Sequence, residues 1–256
     1  MTTTELAPIE RTWRRIFPEM AAGGFGRWES TVQFYGRVNA LLRPDSVVVD
    51  FGAGRGEFLD RPDSYPRRLQ LLRGKVAAVI GVDVDPVVVD NEALDRAIVW
   101  RPGTPIDLPD ASVDLVVSDY TFEHIDDPAA VVGELDRILK PGGWVCARTP
   151  NRWDFIAIGA RMVPNALHSR VLRTLQPQRK TRDVFPTRYR LNSLRQLRSA
   201  FPAPRWEVHG YAVGEPAYVG SSRALTYVLF GLLRVLPMRL QPMYLFFVQK
   251  APSREL

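Results

Sequence analysis

Three glycines follow an apolar run near residue 50, and their spacing suits the binding of a nucleotide-like ligand. Residues 47–51 read Val-Val-Val-Asp-Phe, a run that is typical of a strand covered by helices on both sides. Gly52, Gly54 and Gly56 then occupy alternate positions. Because glycine has no Cβ atom, it lets the backbone approach a ligand closely. The segment therefore predicts a ligand-cradling turn at the end of a buried strand.

The residues around this turn also discriminate between cofactors. A dinucleotide-binding turn requires a third glycine at the position that Glu57 occupies. Asp50 adds a carboxylate that would repel a pyrophosphate but could accept hydrogen bonds from an amino-acid ammonium group. A second acid, Asp83, ends the apolar run 79–83, at a position where a carboxylate can accept hydrogen bonds from ribose hydroxyls. The pattern favours S-adenosylmethionine over NAD.

Further motifs follow in the order and spacing of a known family. They lie at residues 47–56, 79–83, 107–109, 113–118, 122–125 and 139–143. In these motifs the chain resembles the class I S-adenosylmethionine-dependent methyltransferases, in particular the small-molecule branch similar to methyltransferase type 11. The resemblance implies an α/β fold, a Rossmann-like doubly wound sheet of seven strands, and S-adenosylmethionine as the cofactor. The candidate cofactor-binding residues are Asp50, Gly52, Ala53, Gly54, Gly56, Asp83, Val84 and Ser118.

The pattern along the chain predicts one domain, residues 1–256, in four parts. We expect an N-terminal helical lid at 1–44, a cofactor-binding core at 45–150, an acceptor-side insertion at 151–204, and the last two strands with an intervening apolar helix at 205–250. Strands are predicted at 47–51, 78–83, 97–100, 113–118, 143–149, 206–211 and 244–248, with a helix at 129–139. Such alternation of strands and helices is typical of a parallel doubly wound sheet, whose ligands bind at the carboxyl ends of the strands.

Composition is that of an ordinary cytoplasmic enzyme. The 256 residues are 46% hydrophobic and 24% charged, and the start of the chain has no apolar segment typical of a secretion signal. Cys146 is the one cysteine and is predicted to be a small buried core residue. The three histidines have no ligand spacing, so no metal site is indicated.

Basic residues are concentrated in one segment of a chain whose net charge is +6. Residues 161–198 contain ten basic side chains and one acid, Asp183. Arginine with interleaved aromatic rings suits an anionic group joined to a ring or a sugar. The candidate acceptor-binding residues are Arg152, Arg188, Tyr189 and Arg190. We therefore expect a small-molecule, glycan-linked or lipid-linked acceptor that carries negative charge.

Other classes of function stay open at this point. A basic segment also suits RNA, but no appended RNA-binding module is evident, and Ser118-Asp119-Tyr120-Thr121 replaces the Asn-Pro-Pro-Tyr motif of amino-directed nucleic-acid methyltransferases. Nucleic acid is therefore the weaker expectation. The alternatives are an RNA or protein methyltransferase and a non-catalytic protein that binds S-adenosylmethionine.

Three side chains after the fourth predicted strand are candidate catalytic residues. A general base helps methyl transfer if the acceptor is a hydroxyl group, and Asp119, Tyr120 and His124 could each handle a proton or contact the acceptor. In similar proteins, however, a Glu-His pair such as Glu123-His124 often tethers the following helix. A structural role is therefore the stronger expectation for His124.

An apolar helix is predicted at 225–236 from the spacing of its apolar residues. Two interpretations compete. The helix either packs on the sheet or dips into a membrane surface beside a lipid-linked acceptor. The second interpretation would give peripheral contact with the inner face of the membrane, because ten uncharged residues at 224–233 are too few to span it.

Overall fold

A seven-stranded sheet forms the centre of the molecule. The computed structural model describes residues 8–151, 186–214 and 223–253. The strands are β1 (Val47–Phe51), β2 (Ala78–Asp83), β3 (Arg96–Val99), β4 (Val113–Asp119), β5 (Leu139–Pro150), β6 (Trp206–Val213) and β7 (Met243–Lys250). Their order in the sheet is β3-β2-β1-β4-β5-β7-β6, and β7 runs antiparallel to both of its neighbours. The predicted sheet of seven strands is confirmed.

Helices cover both faces of this sheet. They are α1 (Pro8–Ile16), α2 (Ser30–Leu41), α3 (Tyr65–Gln70), α4 (Pro128–Ile138), α5 (Leu194–Ala200) and α6 (Arg223–Val235). On one face, Leu135 of α4 and Leu197 of α5 lie in a core with Val116 of β4. On the other face, Phe34 of α2 lies in a second core with Leu115. Successive residues of β4 thus enter opposite cores, which explains why residues 115–117 at its centre are all apolar.

The sequence places α4 well because its start carries two local signals. Asp127 accepts hydrogen bonds from the amide groups of Ala129 and Ala130, and Pro128 occupies the first turn. The helix nevertheless ends one residue before the predicted end, at Ile138. Strand β5 begins at Leu139, four residues before the predicted start of the strand at 143, because Leu139 already pairs with Val113 across a register shift. The shift accommodates the left-handed backbone of Gly142.

The predictions for the N-terminal part, the insertion and the apolar helix can be compared with the structure only in part. The N-terminal part contains α1, α2 and a short 3₁₀ turn, Pro18–Ala21. The insertion predicted at 151–204 lies mostly outside the described residues, which resume at 186 and include α5. Helix α6 is present, but the ring of its buried Phe230 packs on Trp13, Phe17 and Trp28. Helix α6 therefore packs in part on the N-terminal segment. The sequence had predicted a contact with the sheet and gave no indication of this second contact.

Candidate functional site

The glycine turn after β1 leaves open space at only one of its three glycines. Gly52, Gly54 and Gly56 all have positive φ angles, of 79°, 50° and 73°. A Cβ atom at Gly52 would lie 2.0 Å from the Thr121 hydroxyl oxygen, and one at Gly56 would lie 2.4 Å from Oδ1 of Asn91. A Cβ atom at Gly54 would meet no protein atom within 4 Å. Gly52 and Gly56 therefore permit internal packing, whereas Gly54 borders space that a ligand could fill.

Asn91 stabilises this turn through hydrogen bonds, a role that the sequence did not indicate. Its Nδ2 atom donates to the carbonyl oxygens of Ala53 and Gly54, at 3.0 and 3.2 Å. Its Oδ1 atom accepts from the amide of Ala93 at 3.0 Å. The side chain is buried, so these bonds hold the turn at a fixed distance from the segment after β2. An asparagine 37 positions after Gly54, the glycine to which it donates, leaves no local signature in the chain.

Asp83 lies at the tip of β2 and joins the same turn. Its Oδ2 atom accepts from the amide nitrogen of Gly54 at 2.8 Å, and its Oδ1 atom accepts from the amide of Asp85 at 2.8 Å. Each carboxylate oxygen retains further acceptor capacity, so these bonds orient the group without exhausting it. The neighbouring Val84 side chain is exposed. This pair can offer a carboxylate to hydroxyl groups and an apolar surface to a ring.

Asp50 provides a carboxylate that lacks a cation. Its pKa is raised to about 7 because the group is withdrawn from water and is repelled by the carboxylates of Asp119 and Asp83. No described residue forms an ion pair with Asp50. A ligand cation at this position would relieve the repulsion and favour the ionised carboxylate. The open space at Gly54 and the unpaired carboxylate of Asp50 together suit S-adenosylmethionine, which carries ammonium and sulfonium charges.

Ser118 has a role that its position in the sequence did not suggest. The residue is fully buried, and its hydroxyl donates to the carbonyl oxygen of Phe51 at 2.9 Å. This bond ties β4 to the end of β1, directly before the glycine turn. The structure thus places Ser118 within the support of the turn, and its assignment as a cofactor contact stays a prediction.

A buried arginine on β5 holds Asp119. Arg148 donates from Nε and from one terminal nitrogen to the two carboxylate oxygens, with both distances 2.6 Å. Its other terminal nitrogen donates to the hydroxyls of Ser30 and Thr31 at the start of α2. Asp119 also accepts from the hydroxyl of Tyr35, at 3.3 Å. These contacts join helix α2 to the carboxyl end of β4 near Asp50, and they engage both oxygens of a predicted catalytic carboxylate.

Tyr120 lies directly after this ion pair and has an uncommon backbone conformation. Its φ angle is 57°, in the left-handed region that bulky residues rarely adopt. The guanidinium carbon of Arg148 lies 4.9 Å from the centre of its ring. The residue is 41% exposed, although Asp119 directly before it is partly buried. The turn therefore directs an aromatic ring outward at the carboxyl edge of the sheet, where an acceptor could contact it.

Glu123 and His124 hold the segment that follows the undescribed part of the insertion. The buried Glu123 carboxylate accepts from the hydroxyl of Thr149 at 2.9 Å, and its carbonyl oxygen accepts from the amide of Arg188. Nδ1 of His124 lies 3.1 Å from the carbonyl oxygen of Pro186. The arrangement favours a tether, as expected, although the tethered element is the segment 186–190 and not the helix after the pair.

The predicted acceptor-binding residues are divided by the limits of the described chain. Arg152 lies outside the described residues. Arg188 and Arg190 both approach Asp126, with closest distances of 3.5 and 3.4 Å to its Oδ1 atom. They do so although the stretch is not simply extended, because Tyr189 between them has a φ angle of 52°. Both guanidinium groups thus lie near the same acid, which partly neutralises them.

The described part of the chain contains neither a cluster of metal ligands nor a membrane-spanning helix. No three of its His, Cys, Asp or Glu side chains are grouped so that they could hold a metal ion. Within the same residues, no helix combines the length and apolarity needed to cross a bilayer. Cys146 is fully buried, and this burial raises the pKa of its thiol.

Comparisons with known proteins converge on one chemistry. A family described as a methyltransferase domain matches residues 20–203. A probable S-adenosylmethionine-dependent methyltransferase of Mycolicibacterium smegmatis is 36% identical over 128 residues, which are 49% of this chain and 46% of the relative. A ubiquinone/menaquinone biosynthesis C-methyltransferase of Caulobacter vibrioides is 29% identical over 135 residues, 50% of this chain and 52% of the relative. The chain spans about half the length of the curated relatives it matches.

A solved structure supports the same fold. The putative methyltransferase crystallised with the Trm112 activator of Haloferax volcanii superposes with a TM-score of 0.55 at 18% identity. The alignment covers 96% of this chain and 97% of that one. At this identity the comparison bears on the fold alone.

Proposed function

The chain belongs to the class I S-adenosylmethionine-dependent methyltransferases, and we propose that it transfers a methyl group to a small-molecule, glycan-linked or lipid-linked acceptor that carries negative charge. The cofactor, when bound, supplies an activated methyl group on a sulfonium centre. The protein then has to hold the cofactor, orient the acceptor and exclude water. Its residues support each of these tasks.

The observation that carries the proposal is the juxtaposition of Gly54, Asp83 and Asp50. Gly54 leaves open space above a turn fixed by Asn91, and Asp83 is oriented by the Gly54 amide at 2.8 Å. The pKa of Asp50 is raised to about 7, and a neighbouring cation would stabilise its ionised form. The ammonium group of S-adenosylmethionine supplies such a cation, whereas a neutral or anionic ligand does not.

The residues after β4 would orient the acceptor. Tyr120 presents its ring outward at the carboxyl edge of the sheet, and the guanidinium of Arg148 lies beneath that ring. Asp119 is held by two short charge-assisted hydrogen bonds from Arg148, so proton abstraction by Asp119 would leave the buried guanidinium without its partner charge. We therefore assign Asp119 a positioning role and Tyr120 the contact with the acceptor.

The negative charge of the acceptor is inferred from Arg188 and Arg190. Both guanidinium groups approach Asp126 from the segment 186–190, which His124 and Glu123 fix beside the site. Paired guanidinium groups bind carboxylate and phosphate oxygens in a forked geometry. The name of the Caulobacter vibrioides relative, a quinone-pathway C-methyltransferase, supports a ring or polyprenyl acceptor for this chain as well.

Labelling of a fractionated cell extract tests the proposal. The protein is incubated with methyl-labelled S-adenosylmethionine, and the lipid, polar-metabolite, RNA and protein fractions are counted. We expect label in the lipid or the anionic metabolite fraction, and none with the Asp83→Ala variant. Label confined to RNA or protein would replace the proposed acceptor class. Tight cofactor binding without label in any fraction would favour the non-catalytic alternative.

A further inference from the structure

Helix α6 has apolar side chains on two opposite sides. One side is buried and contains Phe230 and Leu233. The other side is exposed and contains Val228, Leu232 and Val235, which recur at the helical spacing of four and three residues. Val228 and Val235 are 66% and 77% exposed, and Met238, in the turn after the helix, is 62% exposed. We call Val228, Leu232, Val235 and Met238 the α6 strip.

The charged residues of the segment that contains the α6 strip have one sign. Residues 223–240 contain Arg223, Arg234 and Arg239 and no acid. Arg234 and Arg239 are exposed, at the end of the helix and in the following turn. An amphipathic helix with an exposed apolar strip and flanking arginines has the chemistry of a segment that lies in the headgroup region of an anionic bilayer. A twofold contact with a second copy would bring the same arginines toward one another, which is unfavourable.

The location of the α6 strip links it to the proposed site. The ring of Phe230, on the buried side of α6, stacks on Trp28 at 5.4 Å. Two residues later, the hydroxyl of Ser30 accepts a hydrogen bond from Arg148, the residue that holds Asp119. At the other end of the helix, Asn151 donates to the carbonyl oxygen of Arg239 at 2.8 Å, directly after the carboxyl end of β5. The helix thus borders the edge of the sheet at which the acceptor would enter.

We propose that the α6 strip docks the protein on an anionic membrane surface and brings its acceptor-side edge to that surface. The inference rests on the proposed function and narrows it to acceptors carried by the membrane. With 13 residues, α6 would lie in the plane of the headgroups, its buried side still packed on Trp28 and its exposed side among the acyl chains. Arg234 and Arg239 would remain at the level of the lipid phosphates.

Cosedimentation with vesicles tests the docking directly. The full chain is mixed with phosphatidylglycerol or with phosphatidylcholine vesicles, at low and high salt. We expect pelleting with phosphatidylglycerol that falls with salt. The double variant Val228→Ser, Val235→Ser should partition about tenfold less, because binding scales with the apolar area inserted. Arg234→Gln should lower partition by about fivefold, the contribution of one cation near an anionic surface.

Val89→Ser provides a matched control. Val89 is also an exposed valine, at 64%, but it lies in the turn after β2 and outside the α6 strip. Its substitution should leave pelleting unchanged. Pelleting of the double variant equal to that of the parent would overturn the inference. The inference would also be overturned if light scattering showed a dimeric parent protein and a monomeric double variant, because the strip would then bind a second copy.

The same preparations separate this inference from the proposed function. Methyl label in the lipid fraction, combined with no pelleting on phosphatidylglycerol, would overturn the docking and leave the proposed lipid-linked acceptor standing. Pelleting that depends on Val228 and Val235, combined with label only in RNA, would support the docking and overturn the proposed acceptor.

Discussion

Arg148 and Asp119 form a two-pronged ion pair across adjacent strands, with both nitrogen-to-oxygen distances 2.6 Å. The pair lies at the carboxyl edge of the sheet, where β4 and β5 end beside Asp50. The Arg148 side chain is only 5% exposed to solvent. Its guanidinium group also donates a hydrogen bond to Ser30 of α2. One buried charge therefore contacts the acid at the end of β4, the ring of Tyr120 and the start of α2.

Removing the guanidinium should be costly for stability. Arg148→Gln leaves Asp119 part-buried without its counter-charge, and the free energy of unfolding should fall by about 3 kcal/mol. Urea denaturation measures this change. Arg205→Gln is the matched control, because Arg205 also forms a two-pronged pair, with Asp136, but its side chain is 60% exposed. The control should lose less than about 1 kcal/mol. Equal losses in the two variants would show that Arg148 is not a central contact.

Asp50 makes the affinity for the cofactor depend on pH. Its pKa of about 7 in the folded protein lies above the ordinary value of 3.8, so the stability that its proton provides is lost as the pH rises from about 4 through 7. A bound cation favours the ionised form, so cofactor binding should release a proton. Affinity for S-adenosylmethionine should be about tenfold weaker at pH 6 than at pH 8.

Calorimetry in buffers of different ionisation enthalpy measures both the affinity and the released proton. Asp50→Asn cannot ionise, and its affinity should vary little over the same range. Its melting temperature without cofactor should also fall less than that of the parent between pH 5 and pH 8. A parent protein whose affinity is independent of pH would contradict the assignment of Asp50 to the cation.

His124 should affect stability more than turnover. Its Nδ1 atom lies 3.1 Å from the carbonyl oxygen of Pro186, so His124→Ala removes a hydrogen bond worth about 1 kcal/mol and loosens the segment 186–190. The melting temperature should fall by a few degrees, whereas His209→Ala, at an exposed pair with Glu207, should not lower it. A drop in turnover of about 100-fold with an unchanged melting temperature would instead identify His124 as a general base.

Arg188 and Arg190 should govern the apparent Michaelis constant of the acceptor. Replacing both with glutamine should raise that constant about fivefold, reduce its dependence on salt and leave cofactor affinity unchanged. Asp126→Asn provides the opposite test. It removes the acid that both arginines approach, so the constant should fall and become more sensitive to salt. Acceptor kinetics unchanged in both variants, at low and high salt, would make the two arginines an ordinary solvated surface.

Local patterns in the sequence were enough to predict the sheet. Apolar runs such as 47–51 and 78–83 predicted strands with the observed bounds, since a strand covered on both faces leaves a continuous apolar signal. The start of β5 was placed late because a bulged pairing with β4 has no local signature. The fold and the family could therefore be predicted, whereas strand ends at irregular pairings could not.

The candidate site was predictable only where its residues follow strand ends. Asp50, Gly54 and Asp83 do so, and they lie together in the structure. Asn91 and Arg148 act across long sequence separations, and a buried polar side chain in an ordinary loop or strand gives no signal of what it will contact. The same limit applies to α6, whose aromatic partners come from the opposite end of the chain.

The most direct test of the account is a calorimetric titration of the Gly54→Ala variant with S-adenosylmethionine. The parent protein should bind with a dissociation constant in the micromolar range. A Cβ atom at Gly54 meets no protein atom within 4 Å and would occupy the space assigned to the cofactor, so the variant should bind at least about tenfold more weakly. Gly74→Ala is the control, because Gly74 has a φ angle of 80° and equally open surroundings at the amino end of β2. It should bear a similar backbone strain and keep the parent affinity. Equal affinities of the Gly54→Ala variant and the parent would contradict the account.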